Sequence, residues 1–197
     1  MKNTEALRSA LLGTACATLG AVAIAAPVTY EVDSAHTYPA FEADHLGGLS
    51  YWRGKFNSTS GTVVYDAEAQ AGNVDITIDV TSIDFGHDGL NEHAKSADMF
   101  DVENYPTATY AGTLAGFEDG APTMVDGELT LHGVTHPVDL KIERFVCKPH
   151  PFNSRPMCGA DASAEIDRSD FGIAFGQPVF DMGVTLRISI EAAGPAE

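Results

Sequence analysis

Basic residues are scarce in this chain, which has 11 lysines and arginines against 28 aspartates and glutamates and a formal net charge of −17. So acidic a surface repels nucleic-acid phosphates and anionic lipid head groups, which argues against nucleic-acid binding and against electrostatic docking to a membrane. We therefore expect only transient membrane contact. A general requirement for solubility explains the acidity equally well.

Motifs for catalysis and metal binding are also missing. The sequence has no G-x-S-x-G, the sharp turn that presents a nucleophilic serine. His36 and His45 are an odd number of positions apart, which places them on opposite faces of a regular strand unless a bulge at Pro39 intervenes. His132 and His136 lie in a predicted turn, with no third ligand spaced to complete a metal site. We therefore predict a binding protein, not an enzyme, that requires no metal or other cofactor.

One uncharged apolar stretch lies near the amino terminus, at residues 10–26. It follows two basic residues, and Ala23 and Ala25 occupy the small-residue positions that a signal peptidase reads. A membrane anchor is the alternative, but it requires about 20 apolar residues and better flanks. We predict that residues 1–25 are a cleaved secretory signal peptide and that residues 26–197 form a single periplasmic domain.

Cysteines are few, and Cys16 would leave with the signal peptide. The remaining pair, Cys147 and Cys158, lacks C-x-x-C spacing, and an even number of cysteines in an oxidising compartment favours a disulfide. Three prolines between them predict a loop that runs from near Val146 to near Gly159. A redox-active or metal-binding thiol pair is the alternative.

Most of the remaining chain alternates apolar and polar residues with the period of a half-buried β-strand. Only residues 89–101 lack this pattern, and there Leu90, His93, Ala94 and Ala97 lie at helical spacing. One short helix among eight or nine antiparallel strands predicts an all-β barrel or sandwich. Besides a hairpin at residues 36–56, the predicted strands cover residues 29–33, 62–66, 74–80, 107–117, 124–131, 138–143, 160–167 and 184–191.

The hairpin is the most informative of these segments. Phe41 alternates with acidic neighbours, and Gly47-Gly48 permits the positive φ values of a reversal. Trp52 and Phe56 then lie on one face of the returning strand. The segment is therefore predicted to form an amphipathic hairpin with an aromatic face.

Five short blocks, in order along the chain after residue 30, carry a family resemblance. The first is H-x4-F-x3-H-L-G followed by R-G-x-F, within residues 36–56. The others lie within residues 81–84, 92–110, 127–140 and 168–173. Together they resemble the YceI family of polyisoprenoid-binding, lipocalin-like proteins.

The resemblance implies an elongated antiparallel barrel of about eight strands that binds an isoprenoid chain, either an isoprenoid quinone or a polyprenyl phosphate, as carrier or reservoir. From the residues alone, inward Ala162 and Ala164 and the strand residues Gly54 and Gly112 are as compatible with a filled core as with a cavity. The resemblance favours the cavity. Two alternatives are an enzyme or enzyme accessory acting on a small hydrophobic substrate there, and a structural or stress-response protein with a filled core.

The predicted ligand-binding residues form two sets. The matching blocks supply aromatic and histidine side chains: Phe41, His45, Trp52, Phe56, His93, Phe100, Tyr110 and Phe171. Alternation alone turns the second set inward: Ile76, Ile78, Leu129, Leu131, Val138, Leu140, Ala162, Ala164, Leu186 and Ile188. By the resemblance, His45 or His93 would meet the head group. Many family members carry an arginine before the block at Glu92, and its absence here favours a neutral head group.

Overall fold

The computed structural model describes residues 26–196, and most of them lie in β-strands. The strands are β1 (Val28–Val32), β2 (Ala40–His45), β3 (Ser50–Phe56), β4 (Thr59–Asp66), β5 (Ala71–Asp79), β6 (Ile83–Asp84), β7 (Thr107–Ala115), β8 (Met124–Leu131), β9 (Val134–Pro137), β10 (Leu140–Pro149), β11 (Pro156–Asp167) and β12 (Gly183–Ala193). One α-helix, α1, spans Asp88–Lys95, and two 3-10 helices span Val80–Ser82 and Arg168–Phe171.

Eight of these strands close an antiparallel barrel in the order β1, β4, β5, β7, β8, β10, β11 and β12. The barrel closes where Glu31 and Val32 of β1 pair with Ala193 and Ala192 of β12. The predicted barrel of about eight strands with one short helical insertion is thus confirmed. Alternation identified these strands because their inner faces meet the core and their outer faces meet solvent.

Strand β12 belongs to the barrel and also to a sheet extension beside it. Residues 184–187 of β12 pair with β2, and β2 continues through the predicted hairpin to β3 and then β6. The crossing between β1 and β2 is fixed by Thr37, whose buried hydroxyl donates to the Glu191 carbonyl and accepts from the Glu191 N–H. The extension therefore stands against one end of the barrel.

The helix begins one residue before the predicted segment of residues 89–101 and ends earlier than it, because Ser96 leaves the helical conformation. The His87 ring accepts a hydrogen bond from the Leu90 N–H at the amino end, and Ser96 ends the helix with an extended backbone. The helix packs Ala94 into a cluster with Phe56, Val80 and others beneath the sheet extension. Within residues 26–196, no helix has both the length and the apolar character needed to span a membrane.

The segment between the two cysteines differs from its prediction as a loop. Strands β10 and β11 run through Cys147 and Cys158 and end at the facing pair Pro149 and Pro156, so only residues 150–155 form the turn. Proline lacks an N–H and interrupts a ladder in mid-strand, but at the last pair of a hairpin it leaves the remaining bonds intact. The prolines therefore mark the ends of these strands.

Candidate functional site

A cavity of about 440 Å³ occupies the barrel interior, and its lining is mostly apolar. Every barrel strand except β1 contributes inward side chains to it, and the sheet extension, α1 and the loop before β12 cover one end. This volume lies within the range of small-molecule binding sites, which are usually apolar with a few placed polar groups.

Most of the predicted ligand-binding side chains line this cavity. Those that do are Phe41, His45, Trp52, Phe56, Ile76, Ile78, His93, Phe100, Tyr110, Leu129, Leu131, Leu140, Ala162, Leu186 and Ile188. The structure thus brings residues from widely separated parts of the chain to one surface.

Three of the predicted residues, Val138, Ala164 and Phe171, do not line the cavity. Phe171 is fully buried in the 3-10 helix and packs against the His136 ring. Val138 precedes β10, and its carbonyl accepts a hydrogen bond from the Tyr110 hydroxyl. Ala164 packs against the main hydrophobic cluster. Some inward-facing side chains therefore belong to the packed core and do not border the cavity.

The strand glycines do not create the space that the sequence suggested. A Cβ atom on Gly54 would lie 2.7 Å from Phe41 Cζ and 2.8 Å from Phe85 Cε1. A Cβ atom on Gly112 would lie 2.7 Å from Val125 Cγ1. These glycines allow close packing of neighbouring side chains. The small residues that do border the cavity include Ala160 and Ala162 on β11.

Aromatic rings form one wall of the cavity. The Phe41 ring lies 5.9 Å from Phe56, 5.6 Å from Phe85 and 6.3 Å from Phe100, measured between ring centroids. These spacings and the tilted or edge-on geometry are those that aromatic pairs prefer. The wall joins the hairpin to the segments on both sides of α1, which fixes the sheet extension against the cavity.

Two histidines lie where the cavity meets solvent, at an opening we call the mouth: His45, Trp52, His93, Phe175 and Phe180. The His45 ring lies 4.4 Å from the Trp52 ring and 5.9 Å from the Phe180 ring. The His93 ring meets the Phe175 ring edge-on at 4.9 Å. Trp52 and Phe175 are 37% and 42% exposed, so this end of the cavity is open.

The Asp44 carboxylate joins the two loops beside the mouth through hydrogen bonds. Asp44 Oδ2 accepts hydrogen bonds from the N–H groups of Gly47 and Asp181, at 2.9 and 3.0 Å, and Oδ1 accepts from Gly48. The Asp181 bond is the main cause that lowers the pKa of Asp44, with the two glycine bonds adding to it. Asp44 thereby joins the turn of the β2–β3 hairpin to the loop that precedes β12.

Arg168 is a cavity residue that the sequence did not single out. It is buried, and its Nη1 and Nη2 donate to the carbonyls of Ile173 and Phe175 at 2.8 and 2.7 Å. Removal from solvent lowers the pKa of the guanidinium, although Asp167 and Asp44 favour its charge. Arg168 therefore holds in place the loop that carries Phe175 to the mouth.

Within residues 26–196, no group of three or more potential metal ligands is present. His132 and His136 instead bond to the 3-10 helix. The His132 Nδ1 lies 3.0 Å from the Phe171 carbonyl oxygen, and the His136 Nε2 lies 3.1 Å from that of Asp170.

Comparison with known proteins places this fold. The model of the YceI-like domain matches residues 30–192. The chain belongs to the YceI family. It is 32% identical to protein YceI of Escherichia coli over an alignment of 189 residues, and this alignment covers 94% of this chain and 97% of the Escherichia coli protein. It is also 33% identical over 150 residues to a UPF0312 protein of Vibrio cholerae, which covers 76% and 78% of the two chains.

Solved structures share the fold of this YceI-family chain. BcnA of Burkholderia cenocepacia has a TM-score of 0.64 and 24% identity, covering 82% of this chain and 99% of its own. A polyisoprenoid binding domain from Saccharophagus degradans has a TM-score of 0.63 and 19% identity, covering 85% and 99%. At these identities the likeness establishes the barrel architecture.

The YceI barrel of this chain carries the predicted disulfide between Cys147 and Cys158. The two residues face each other directly on β10 and β11, with Cα atoms 4.1 Å apart. Cys158 is buried and borders the end of the cavity. The bond therefore fixes the hairpin that forms this side of the barrel.

Replacing Asp44 by alanine is expected to loosen the mouth without unfolding the barrel. Amide hydrogen exchange should become several-fold faster at Gly47, Gly48 and Asp181, because these N–H groups lose their acceptor. Because the pKa of Asp44 is lowered, the carboxylate accepts these hydrogen bonds fully above pH 3.8, the ordinary pKa of an aspartate. It loses them as the pH falls through the lowered pKa. Wild-type protein should therefore loosen in the same way in acid.

Asp66→Ala is the matched control for this exchange measurement. Asp66 Oδ1 accepts from the N–H groups of Glu68 and Ala69 in the β4–β5 turn, which does not border the cavity. That substitution should speed exchange in its own turn and leave Asp181 unchanged. Equal amide exchange at Asp181 in wild type and in Asp44→Ala would contradict the role of Asp44 in joining the two loops.

Proposed function

We propose that this protein is an exported carrier or reservoir that binds an isoprenoid chain in its barrel cavity. The observation that carries the proposal is the apolar cavity of about 440 Å³ that opens through an aromatic mouth. Membership of the YceI family supports binding in preference to catalysis. The shared fold of the polyisoprenoid binding domain from Saccharophagus degradans supports this class of ligand.

The energetics favour exchange with a membrane over capture from water. Burying a chain of some tens of carbons would yield about 0.8 kcal/mol per methylene, which exceeds the practical ceiling of non-covalent affinity. The relevant free energy is therefore that of transfer from bilayer to barrel, and it is near zero since both surroundings are apolar. A ligand held in this way can be released again.

Export to the periplasm is supported by the disulfide, because such bonds persist in oxidising compartments. The predicted signal peptide, residues 1–25, lies outside the described residues. Its removal takes away Lys2, Arg8 and Glu5, which changes the net charge from −17 to −18. N-terminal sequencing of the exported protein should begin at Ala26, and a chain beginning at Met1 would contradict this assignment.

The mouth favours a neutral head group such as a quinone. His45 and His93 border the cavity there, and an imidazole N–H can donate a hydrogen bond to a quinone carbonyl. The Asp44 carboxylate at the same end would repel a phosphate. Arg168 could attract a phosphate, but its terminal nitrogens already donate to two backbone carbonyls.

The single tryptophan of the chain reports on this site directly. Trp52 borders the cavity at the mouth, so a ligand that enters should change its fluorescence. We expect saturable quenching by a prenylated benzoquinone and weaker binding of a prenyl phosphate of equal chain length. No saturable change with either compound would overturn the proposed ligand class. Tighter binding of the phosphate would overturn only the head-group assignment.

Replacing both His45 and His93 by leucine should weaken binding of the prenylated quinone by about two- to tenfold for each hydrogen bond lost. Affinity for the same prenyl chain without a head group should not fall. Equilibrium dialysis is the appropriate measurement, since His45 packs on Trp52 and its loss would alter the fluorescence itself. His150→Leu, in the turn between β10 and β11, is the control. Unchanged quinone affinity in the double variant would exclude the head-group role.

A further inference from the structure

Large apolar side chains are exposed beside the mouth. Leu49 is 74% exposed and Val179 is 61% exposed, and neither lines the cavity. We define the mouth patch as these two residues with Leu46, Tyr51 and Phe175, all of which are exposed. A contiguous exposed apolar patch on a protein surface commonly marks an interaction site.

The two loops that carry Leu46, Leu49, Phe175 and Val179 lie against each other, and Tyr51 is on the adjoining strand β3. Asp44 accepts hydrogen bonds from both loops, and a Cβ atom on Gly47 would lie 3.0 Å from the Val179 carbonyl oxygen. The hairpin turn and the loop before β12 are therefore in contact. Phe175 belongs both to the patch and to the cavity lining, so the patch is continuous with the mouth.

The loops that carry the patch are themselves uncharged. Residues 45–52 and 171–180 contain no aspartate, glutamate, lysine or arginine, in a protein whose exported form would carry a net charge of −18. Asp44 and Asp181 lie at the base of the patch. An anionic surface would be repelled by the protein as a whole, whereas an uncharged one would meet only the apolar tip.

We propose that the mouth patch docks on a lipid bilayer with electrically neutral head groups, so that an isoprenoid chain passes between bilayer and cavity without crossing water. The inference rests on the proposed function for the identity of the cargo. Leucine with tyrosine and tryptophan at its edge is the composition that favours the membrane–water interface. A second copy of the chain fits less well, since five side chains fall short of the roughly 20 residues per partner in a stable interface.

The test uses the natively exported protein and vesicles of phosphatidylcholine. One measurement is co-flotation of the protein with the vesicles, and the other is the rate at which a fluorescent prenylated probe moves from vesicles into the protein. The variant is Leu49→Asp with Val179→Asp, which places charge in the patch without touching the cavity. Loading of the same probe from detergent micelles measures cavity capacity independently of any bilayer.

Phe152→Asp is the matched control, because Phe152 is 91% exposed in the turn between β10 and β11. That turn comes directly before β11, which is 12 residues long, and the loop that carries Val179 follows the other end of β11. At about 3.3 Å per residue this separates the two sites by roughly 35 Å. The control therefore adds the same kind of charge to an exposed apolar side chain far from the mouth.

We expect co-flotation and transfer rate to fall at least about tenfold in the double variant and to be unchanged in Phe152→Asp, with equal loading from micelles in all three proteins. Adding anionic phosphatidylglycerol should weaken co-flotation. Equal co-flotation of wild type and double variant, tighter binding to anionic vesicles, or a dimer that the double variant abolishes would each overturn the proposal. Co-flotation that depends on the patch, without probe uptake from either source, would support docking and overturn the carrier function. Probe uptake that is equal in all three proteins, without co-flotation, would support the carrier function and overturn docking.

Discussion

Replacing Ala162 by tryptophan is expected to abolish isoprenoid binding while the barrel stays folded. Ala162 lies on β11 and borders the cavity, so the indole would enter space that we assign to the ligand. Excluding even two methylenes, at about 0.8 kcal/mol each, corresponds to roughly a tenfold loss of affinity, and an indole excludes more. The measurements are the amount of isoprenoid bound per protein and the unfolding transition in denaturant.

Ala164→Trp is the matched variant on the same strand. Ala164 is partly buried and does not border the cavity, and it packs against the same hydrophobic cluster to which Ala162 belongs, so an indole there would press on that cluster without entering the cavity. Overpacking of this kind should lower the free energy of unfolding by about 1–3 kcal/mol. The sequence alone predicted the same outcome at both positions, and the structure separates them. Loss of stability in Ala162→Trp equal to that in Ala164→Trp would indicate a filled core.

Removing the disulfide by the double substitution Cys147→Ser and Cys158→Ser should lower the free energy of unfolding by about 3 kcal/mol, within a range of about 2–5 kcal/mol. The bond joins residues 11 positions apart, and in the chain-entropy model its loss gives the unfolded chain the freedom of that loop. The fold should persist, because the cysteines also face each other across a hydrogen-bonded strand pair. Denaturant titrations of both proteins measure the difference.

A reducing agent provides the control for this prediction. It should lower the stability of the wild-type protein by a similar amount and leave the double variant unchanged, since no other cysteine lies in residues 26–197. Native exported protein should show no thiol that reacts with a thiol reagent. Two reactive thiols, or equal stability of the wild type with and without reductant, would contradict a structural role for the bond.

The strands were predictable because alternation follows directly from the barrel. Each strand has one face toward the interior and one toward solvent, so Leu186 and Ile188 alternate with Arg187 and Ser189 in the sequence as they do in β12. The same reasoning identified the hairpin and most of the cavity lining. It could not decide which inward side chains border open space, as Ala162 and Ala164 show, because that depends on what lies across the barrel.

The mouth was not predictable from periodicity, because loops position it. Phe175 and Phe180 reach the cavity on a segment with no regular pattern, which Arg168 and Asp44 hold through hydrogen bonds to its backbone. These bonds join residues that are far apart in the sequence or lie within a turn. Arg168 itself lay inside a block that matched the YceI family, and a basic residue beside a predicted apolar cavity was the one available signal.

The most direct test of isoprenoid binding is organic-solvent extraction of the natively exported, purified protein, followed by mass spectrometry of the extract. We expect an isoprenoid lipid, with a neutral quinone-like head group, in an amount approaching one molecule per protein. The same extraction of Ala162→Trp should recover little of it. An extract of the wild-type protein that contains no isoprenoid, or contains equal amounts from wild type and Ala162→Trp, would contradict the binding of this ligand in the barrel.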